Sequence, residues 1–252
     1  MLIYVTGDTH GEFGGRFNVK NFPEQKELTK EDYVIICGDF GGIWDVGEEG
    51  KGEKYWLDWF AERSYTLLFV DGNHENFDRL YAYPEKAWRG GRVHEIRPSV
   101  LHLMRGQVFE ICGKKIFTFG GASSHDISGG ILEKDDPYFK RKKRRLERDW
   151  LPYRINHISW WKEELPNQEE MDEGLKNLEK YDFAVDYIIT HCAATDTQEL
   201  LKPQNGTDIM TEYLQKIKNM VHYEKWFFGH YHTDRMINEK EQVLSKIIER
   251  IY

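Results

Sequence analysis

Cysteine is scarce in this chain, which limits the kinds of site and of covalent stabilisation that the sequence can support. Its three cysteines, Cys37, Cys112 and Cys192, are widely separated and form no CxxC pair. An odd number at these spacings predicts neither a disulfide framework nor a structural zinc ribbon. We expect all three to be reduced residues that pack in the interior.

Long hydrophobic runs are absent as well. No stretch of the sequence reaches the roughly 18 apolar residues that a membrane-spanning helix needs. The first residues, Met1–Asp8, lack the basic segment and the long apolar run of a secretory leader. The sequence therefore predicts a soluble, cytoplasmic protein that does not bind membranes.

Positive charge does not dominate either, because the 252 residues carry a formal net charge of −8. The chain as a whole thus does not attract nucleic acids or anionic membranes. An acidic substrate has to be drawn by something local, such as a cluster of metal ions. No internal repeat or low-complexity linker divides the sequence. We predict one α/β domain that spans residues 1–252.

Short apolar runs rich in β-forming residues recur along the chain, and each stops at a polar loop. These runs span residues 2–6, 33–37, 66–70, 185–189 and 225–228. Helical stretches such as 53–63 and 208–220 lie between them, which predicts alternating strands and helices. A hairpin of 107–111 and 115–119 is predicted to begin a second sheet, and closing strands are predicted after His232.

The stretch from Ser123 to Met171 differs from the rest, because it is rich in charge and tryptophan and has little periodicity. We interpret it as a cap-like insertion over the site, with Trp160 and Trp161 as its packing core. Acidic residues flank its basic run, 140–145, which favours a solvated helix face. A nucleic-acid surface would require exposed aromatic residues among those cations.

Five of the predicted strands are followed at once by side chains that can bind metals. These segments are Gly7-Asp8-Thr9-His10, Gly38-Asp39, Gly72-Asn73-His74-Glu75, Thr190-His191 and Gly229-His230-Tyr231-His232. The carboxyl ends of parallel strands gather at one edge of a sheet, so these side chains are expected to converge. Imidazole and carboxylate ligands without thiolates suit manganese, iron or zinc. A single histidine would more simply be structural, and a single aspartate could be a turn or helix cap, so the ordered set carries the prediction.

In this order, the segments resemble the calcineurin-like metallophosphoesterase superfamily, whose pattern is DxH, GD, GNH[DE], an isolated H and GHxH. The resemblance extends from Asp8 to His232. It implies a four-layer α/β/β/α sandwich in which two mixed β-sheets are flanked by helices. It also implies a hydrolase of phosphomonoesters or phosphodiesters, in which hydroxide activated by two divalent ions attacks the phosphorus.

Seven residues match the metal ligands of the superfamily by position. One ion would be held by Asp8, His10 and His232, the other by Asn73, His191 and His230, and Asp39 would bridge the two. His74 matches the superfamily's histidine near the leaving group, so the resemblance implies a general acid there. Glu75 is expected to position the loop.

The sequence departs from the serine/threonine protein phosphatases of this superfamily, which read GDxxDRG and RGNHE. The corresponding positions here are Gly42, Ile43 and Asp71. The acid that orients the catalytic histidine and two phosphate-binding arginines are therefore missing, which disfavours protein phosphatase activity. We expect Asp71 or Asp45 to orient His74, and Arg16 to bind phosphate. His125 either enters the pocket from the second sheet and contacts the substrate or anchors its own loop.

Two alternative functions remain open from the sequence alone. One is a nuclease or nucleotide phosphodiesterase in which the basic run 140–145 grips a polyanion. The other is a non-catalytic, metal-binding interaction scaffold, against which the presence of His74 argues. The substrate, the native metals and the oligomeric state do not follow from the sequence, because many chemistries share this fold and ligand set.

Overall fold

The computed structural model describes residues 1–252, and most of its strands form two mixed sheets. In spatial order, the first sheet contains β15 (Ile248–Arg250), β1 (Ile3–Thr6), β2 (Tyr33–Cys37), β3 (Thr66–Val70), β6 (Val100–Leu103), β5 (Gly91–Arg97) and β4 (Glu85–Trp88). The second contains β13 (Arg235–Met236), β14 (Glu241–Val243), β12 (Lys225–Phe228), β11 (Tyr187–Thr190), β8 (Lys114–Phe119) and β7 (Gln107–Ile111). A separate pair joins β9 (Ile131–Leu132) to β10 (Arg154–Ile155).

The middle of each sheet is parallel. Strands β1, β2, β3 and β6 run in one direction in the first sheet, and β8, β11, β12 and β14 do so in the second. Antiparallel strands complete the edges of both sheets. Because parallel strands end at the same edge, the loops after β1, β2, β3, β11 and β12 come together; we call these five loops the ligand edge.

Alternation along each strand sends successive side chains to opposite faces and so creates three apolar layers. Ile35 and Leu68 of the first sheet share a buried cluster with Ile116 and Phe227 of the second, between the sheets. The outer face of the first sheet packs against α2 (Lys51–Ala61). The outer face of the second packs against α5 (Gln168–Glu179) and α7 (Ile209–Met220). The predicted four-layer α/β/β/α sandwich is confirmed.

The remaining helices are short and lie in connections. They are α1 (Phe13–Arg16), α3 (Phe77–Leu80), α4 (Phe139–Arg148) and α6 (Thr195–Leu201), with single 3-10 turns at Pro23–Lys26, Lys162–Glu164 and Pro203–Asn205. The three cysteines are free and buried, as expected. Every helix of this fold is too short or too polar to traverse a lipid bilayer.

The predicted elements match the structure within a few residues. The helix predicted over 53–63 begins earlier, at Lys51, and the helix predicted over 208–220 begins at Ile209 because Asp208 caps it, accepting from the Thr211 backbone N–H. The closing strands are present as β13, β14 and β15. The last of these returns to the first sheet and pairs with β1 rather than extending the second.

The stretch predicted as a cap, 123–171, contains β9, α4, β10 and the first residues of α5. We call residues 126–155 the flap. Trp161 packs elsewhere than predicted: it is fully buried, lies 5.9 Å from the Trp44 ring and donates a hydrogen bond to Asp78 (2.7 Å). It therefore joins the layer beneath the first sheet and fastens the chain just beyond the flap to the main body.

Candidate metal centre

Several residues in the loops of the ligand edge have a strained backbone conformation. His10, Asp39, His230 and His232 have φ angles of +46°, +44°, +66° and +50°. This left-handed region is costly for residues with a Cβ atom. Ten non-glycine residues of the chain adopt it, and four of them are predicted metal ligands. Such strain persists where surrounding contacts over-determine it, which is typical of functional sites.

Two glycines of the motifs are required because a side chain there would clash with a residue of a neighbouring loop. A Cβ atom on Gly72 would lie 2.0 Å from Asp39 Oδ1, and one on Gly229 would lie 2.0 Å from Asp8 Oδ1. Both separations are far below van der Waals contact. Glycine at these positions thus makes room for the two carboxylates, which explains why glycine precedes the ligands in the GNH and GHxH segments.

Asp8, His10 and His232 form the outer ligand group. His232 Nε2 lies 3.2 Å from Asp8 Oδ2, and His10 Nε2 lies 3.8 Å from the same oxygen. The two imidazole nitrogens are 3.1 Å apart. The backbone N–H of His230 donates to both carboxylate oxygens of Asp8 (2.8 and 3.0 Å), which fixes the carboxylate between the two rings.

Asp39, Asn73, His191 and His230 form the inner group. His191 Nε2 lies 3.5 Å from Asp39 Oδ2 and 3.2 Å from Asn73 Oδ1. The opposite ring nitrogen, Nδ1, donates to the Cys37 carbonyl (2.9 Å), so Nε2 is free to ligate. The His230 ring lies 5.0 Å from that of His191. Asp39 Oδ2 is also 3.7 Å from His10 Nε2, which places this carboxylate between the two groups.

Charge at the centre favours bound cations. Asp8 and Asp39 are almost fully buried. Burial lowers the pKa of His191, but the carboxylates of Asp39 and Asp8 outweigh it and raise the pKa to about 10. Burial, reinforced by His191, holds the pKa of His230 well below its usual value, which keeps the imidazole neutral and able to ligate. Two overlapping groups, Asp8 with His10 and His232 and Asp8 with Asp39 and His191, each bring donor atoms within 4.8 Å of one another. Their nitrogen and oxygen donors suit divalent ions.

A chain of hydrogen bonds orients Asn73 from the far side of the pocket. The Asn73 amide nitrogen donates to Ser124 Oγ (3.2 Å), and that hydroxyl donates to Glu164 Oε2 (2.6 Å). Glu164 also accepts from the Ser124 backbone N–H (2.9 Å). The amide nitrogen is thereby held away from the ligands, and Oδ1 points toward His191. Ser124 and Glu164 carry no motif in the sequence, so their part in the site could not be predicted.

His74 lies at the mouth of the centre. Its backbone N–H donates to Asp39 Oδ1 (2.7 Å), and its ring lies 5.5 Å from the His10 ring. Burial lowers the pKa of His74, while the Asp39 carboxylate opposes this effect. The ring therefore faces the site with its nitrogens available to a substrate.

The predicted partners of His74 are wrong. Asp71 is fully buried and accepts from Arg105 Nε (2.9 Å), while His102 Nε2 lies 3.1 Å from its other oxygen. The Asp45 carboxylate is directed at Gly50 instead, where an added Cβ would meet its Oδ2. Neither carboxylate forms a hydrogen bond or an ion pair with the His74 ring, and that of Asp71 is occupied by Arg105 and His102.

Arg16 is also displaced from its predicted role as a phosphate ligand. Its guanidinium donates to Thr6 Oγ1 (3.0 Å) and to the carbonyls of Gly7 (2.7 Å) and Asp8 (2.6 Å). Arg16 lines a different cleft, next to Trp56. Arg16 therefore stabilises the chain at the end of β1, because the carbonyls of Gly7 and Asp8 have no hydrogen-bond partner on a neighbouring strand.

A family model described as calcineurin-like phosphoesterase matches residues 1–234. The chain belongs to this family. The predicted resemblance is thereby confirmed at the level of the family, whose members use divalent metal ions.

Curated relatives of this phosphoesterase include lariat debranching enzymes. The protein named lariat debranching enzyme A from Xenopus laevis is 28% identical over 152 residues, which cover 56% of this chain and 27% of the relative. Lariat debranching enzymes of Danio rerio and Drosophila melanogaster are 25% and 27% identical, over 53% of this chain and 24% and 26% of their own lengths. The matches thus span about a quarter of these relatives.

Among solved structures, the chain is similar to a phosphopantetheinyl hydrolase (PptH) from Mycobacterium tuberculosis. The two share 15% sequence identity with a TM-score of 0.48, over 97% of this chain and 88% of the other.

The phosphoesterase cleft at the ligand edge measures about 300 Å³. His125 lines it, 5.7 Å from the His230 ring, and Asp126 lies beside it. Lys202, Gln204 and Asn205 also line the cleft, from the connection between α6 and α7. Sequence reasoning missed these three, because Lys-Pro-Gln-Asn has the composition of an ordinary turn. Lys202 has no carboxylate within ion-pair distance, so it offers a free cation at the site.

Proposed function

We propose that this phosphoesterase hydrolyses a phosphomonoester or phosphodiester at a two-metal centre. The position of Asp39 is the observation that supports this most directly, since one carboxylate oxygen lies 3.7 Å from His10 Nε2 and 3.5 Å from His191 Nε2. The outer ion would be held by Asp8, His10 and His232, and the inner ion by Asn73, His191 and His230. Asp39 would be shared. Manganese, iron and zinc all suit this donor set.

The residues of the chain divide the work of hydrolysis among them. Two divalent ions, when bound, supply polarisation of the phosphoryl group and of the attacking water. Asp8 and Asp39 hold the ligand geometry, because each carboxylate is fixed by a backbone N–H of a neighbouring loop. Preorganisation of this kind lowers the cost of reaching the transition state.

His74 is the proposed proton donor to the leaving oxygen. It lines the cleft beside the ligands, and no side chain ties up its ring nitrogens. Its pKa is lowered by burial, so the proton is best held in the complex with an anionic phosphate, which favours the imidazolium. A histidine in this position contributes most when the leaving group is a poor one.

Lys202 and His125 are the proposed substrate contacts. Lys202 supplies a positive charge to the cleft from the connection between α6 and α7, and His125 offers a hydrogen-bonding ring from the loop that follows β8. Both stand at the cleft rather than among the ligands. We expect them to influence substrate affinity more than the bound metal.

A phosphodiester is the second, narrower candidate. The curated relatives are named as lariat debranching enzymes, and a diester is the chemistry that we transfer from them to this chain as a proposal. The matched region covers about a quarter of each relative. A panel of monoesters and diesters therefore has to decide between the two classes.

The central test measures hydrolysis of an aryl phosphate and of its bis ester with added Mn²⁺, Fe²⁺ or Zn²⁺. We expect chelation to abolish turnover and readdition of one of these ions to restore it. Asp39→Asn should remove activity and reduce the bound metal, whereas Asp172→Asn, an exposed control on α5, should not. Full activity in the presence of chelator, or from the Asp39→Asn protein, would refute the proposal.

A further inference from the structure

Helix α4 concentrates positive charge in an otherwise acidic chain. Seven of its ten residues are cations, and Glu147 is its one carboxylate. The helix thus carries a net charge of +6 against −8 for the whole chain, which leaves −14 for the other residues. Charge of one sign packed this densely repels itself, so a ligand of opposite charge would be drawn strongly to this helix.

One face of α4 lines an open cleft of about 980 Å³. The lining residues are Tyr138, Arg141, Lys142, Arg144, Arg145 and Arg148. Spacings of three and four residues place these side chains on neighbouring rows of the helix. No carboxylate lines the cleft. Five of the seven cations of α4 therefore share one surface of the helix.

Ion pairs neutralise only part of this surface. Lys142 pairs with Asp136, and Asp149 is shared by Arg145 (3.7 Å) and Arg148 (2.8 Å). Arg141 and Arg144 have no carboxylate within 4.0 Å. Exposed pairs such as these contribute little and are easily exchanged for a stronger anion. The flanking acids, which the sequence suggested would offset the run, leave a net cationic surface.

Exposed aromatic residues stand at both ends of α4. Tyr138 is 62% exposed before the helix, and Trp150 is 91% exposed just after it. Aromatic rings beside cations are the arrangement that binds unpaired bases by stacking while the cations contact phosphates. Phe139 and Leu146 are the only apolar residues of α4, and Leu146 is buried, so the helix lacks the broad apolar face with which amphipathic helices enter a membrane.

The flap connects this surface to the phosphoesterase cleft. Leu146 packs toward Gly129, and the Gly129 backbone N–H donates to Pro152 (2.7 Å), which closes the base of the helix onto the flap strands. Arg154 of β10 pairs with Asp126, which lines the cleft beside His74. The flap thus joins α4 to the wall of the cleft through Arg154 and Asp126.

We propose that α4 and its flanking aromatic residues bind single-stranded nucleic acid and deliver it to the cleft. The proposal rests on the proposed function for its catalytic consequence, whereas binding itself can be measured separately. Phosphates would contact Arg141, Arg144 and Arg145, and unpaired bases would stack on Tyr138 and Trp150.

The test measures fluorescence anisotropy of labelled single strands of about 12 nucleotides, as RNA and as DNA, with the full chain over a range of salt concentrations. The variant R141Q/R144Q/R145Q removes three phosphate contacts. It should reduce the slope of log affinity against log salt by about two. The control K26Q/K176Q/K216Q changes the net charge equally, at exposed sites away from the flap, and should keep the wild-type slope. Tighter binding of either RNA or DNA would support the proposal and identify the natural strand.

Trp150→Ala tests the stacking part. We expect the affinity for the single strand to fall by at least about fivefold relative to wild type, because one stacked base is lost. Equal affinity of wild-type protein for a duplex of the same length would overturn the proposal, as would equal slopes for the two triple variants. Sedimentation with phosphatidylserine vesicles that depends on the three arginines, without oligonucleotide binding, would overturn it in favour of a membrane.

Hydrolysis of a small aryl phosphate separates this proposal from the proposed function. Both triple variants should retain wild-type turnover of that substrate, because none of the changed residues lines the phosphoesterase cleft. If the wild-type protein hydrolysed the aryl phosphate but bound no oligonucleotide, only the α4 proposal would be refuted. Oligonucleotide binding with no hydrolysis of any ester would sink the proposed function alone.

Discussion

At the ligand edge, side chains are fixed from several directions at once, whereas the flap contacts the rest of the molecule at few points. Asp8 is bound by a backbone N–H of another loop and crowded by Gly229. By contrast, α4 buries only Leu146. From this difference we predict that bond breaking depends on the densely contacted ligand edge, and that the flap contributes to substrate selection.

The largest expected effect comes from crowding the ligand edge. Gly72→Ala would place a methyl group 2.0 Å from Asp39 Oδ1 and force the shared carboxylate to move. We expect at least a roughly 100-fold loss of turnover, as misplacement by about 1 Å can cause, together with reduced bound metal by elemental analysis.

Gly52→Ala is the matched control for this change. A Cβ at Gly52 meets no atom within 4 Å, and the position lies in α2. Alanine there should leave activity unchanged and stabilise the helix by up to about 1 kcal/mol. Wild-type metal content in the Gly72→Ala protein would contradict the idea that the ligand edge is over-determined.

The next effect concerns proton delivery. His74→Asn should lower turnover of a substrate with an alkyl leaving group by about 100-fold, because such a group needs a proton as it departs. A nitrophenyl ester, which leaves readily as an anion, should be affected far less. The measurement compares kcat for the two substrates, and equal losses would show that His74 binds phosphate without donating a proton.

A smaller effect should follow when the support behind a ligand is removed. Ser124→Ala deletes the hydroxyl that holds the Asn73 amide nitrogen (3.2 Å). We expect about a tenfold loss of Mn²⁺ affinity, measured by calorimetry, as is typical for outer partners of metal ligands. Ser64→Ala, which also removes one hydroxyl hydrogen bond but lies away from the site, should have no such effect. If both variants bound Mn²⁺ with wild-type affinity, Ser124 and Glu164 would have no part in metal binding.

The smallest effect on catalysis is expected in the flap. Leu146→Ala should accelerate hydrogen exchange of the 139–148 amides by about tenfold or more, since the anchor of α4 is lost. Hydrolysis of an aryl phosphate should stay within about twofold of wild type. Leu200→Ala, at a side chain that is 70% exposed, is the control. Loss of aryl phosphate hydrolysis in Leu146→Ala would show that the flap and the ligand edge act as one unit.

The same contrast explains what could be predicted from the sequence. Asp8, Asn73 and His230 follow apolar strands directly, so strand periodicity and fold class predicted where they would meet. The partners of His74 could not be predicted, because Asp71 turns toward His102 of β6 and toward Arg105 in the turn after β6. Side-chain direction after a strand end depends on such neighbours and leaves no periodic trace.

The flap was the poorest part of the prediction for a related reason. Helix α4 has almost no apolar face, and the periodicity that marks helices elsewhere is therefore missing. The exposure of Tyr138 and Trp150 depends on how the flap folds back on itself, which local sequence does not encode. Lys202 and Ser124 likewise enter the site through loops, whose paths are set by packing at a distance.

The hydrogen bond from the His230 backbone to Asp8 spans 222 positions in the sequence. During synthesis, a ribosome would present Asp8 long before the segment that secures it has been made. In the emerging polypeptide the Asp8 carboxylate would not yet be held in position, and the metal site would be incomplete. Tight binding of metal ions would be postponed until the segment that contains His230 has docked, so that retained cations would report that this segment is in place.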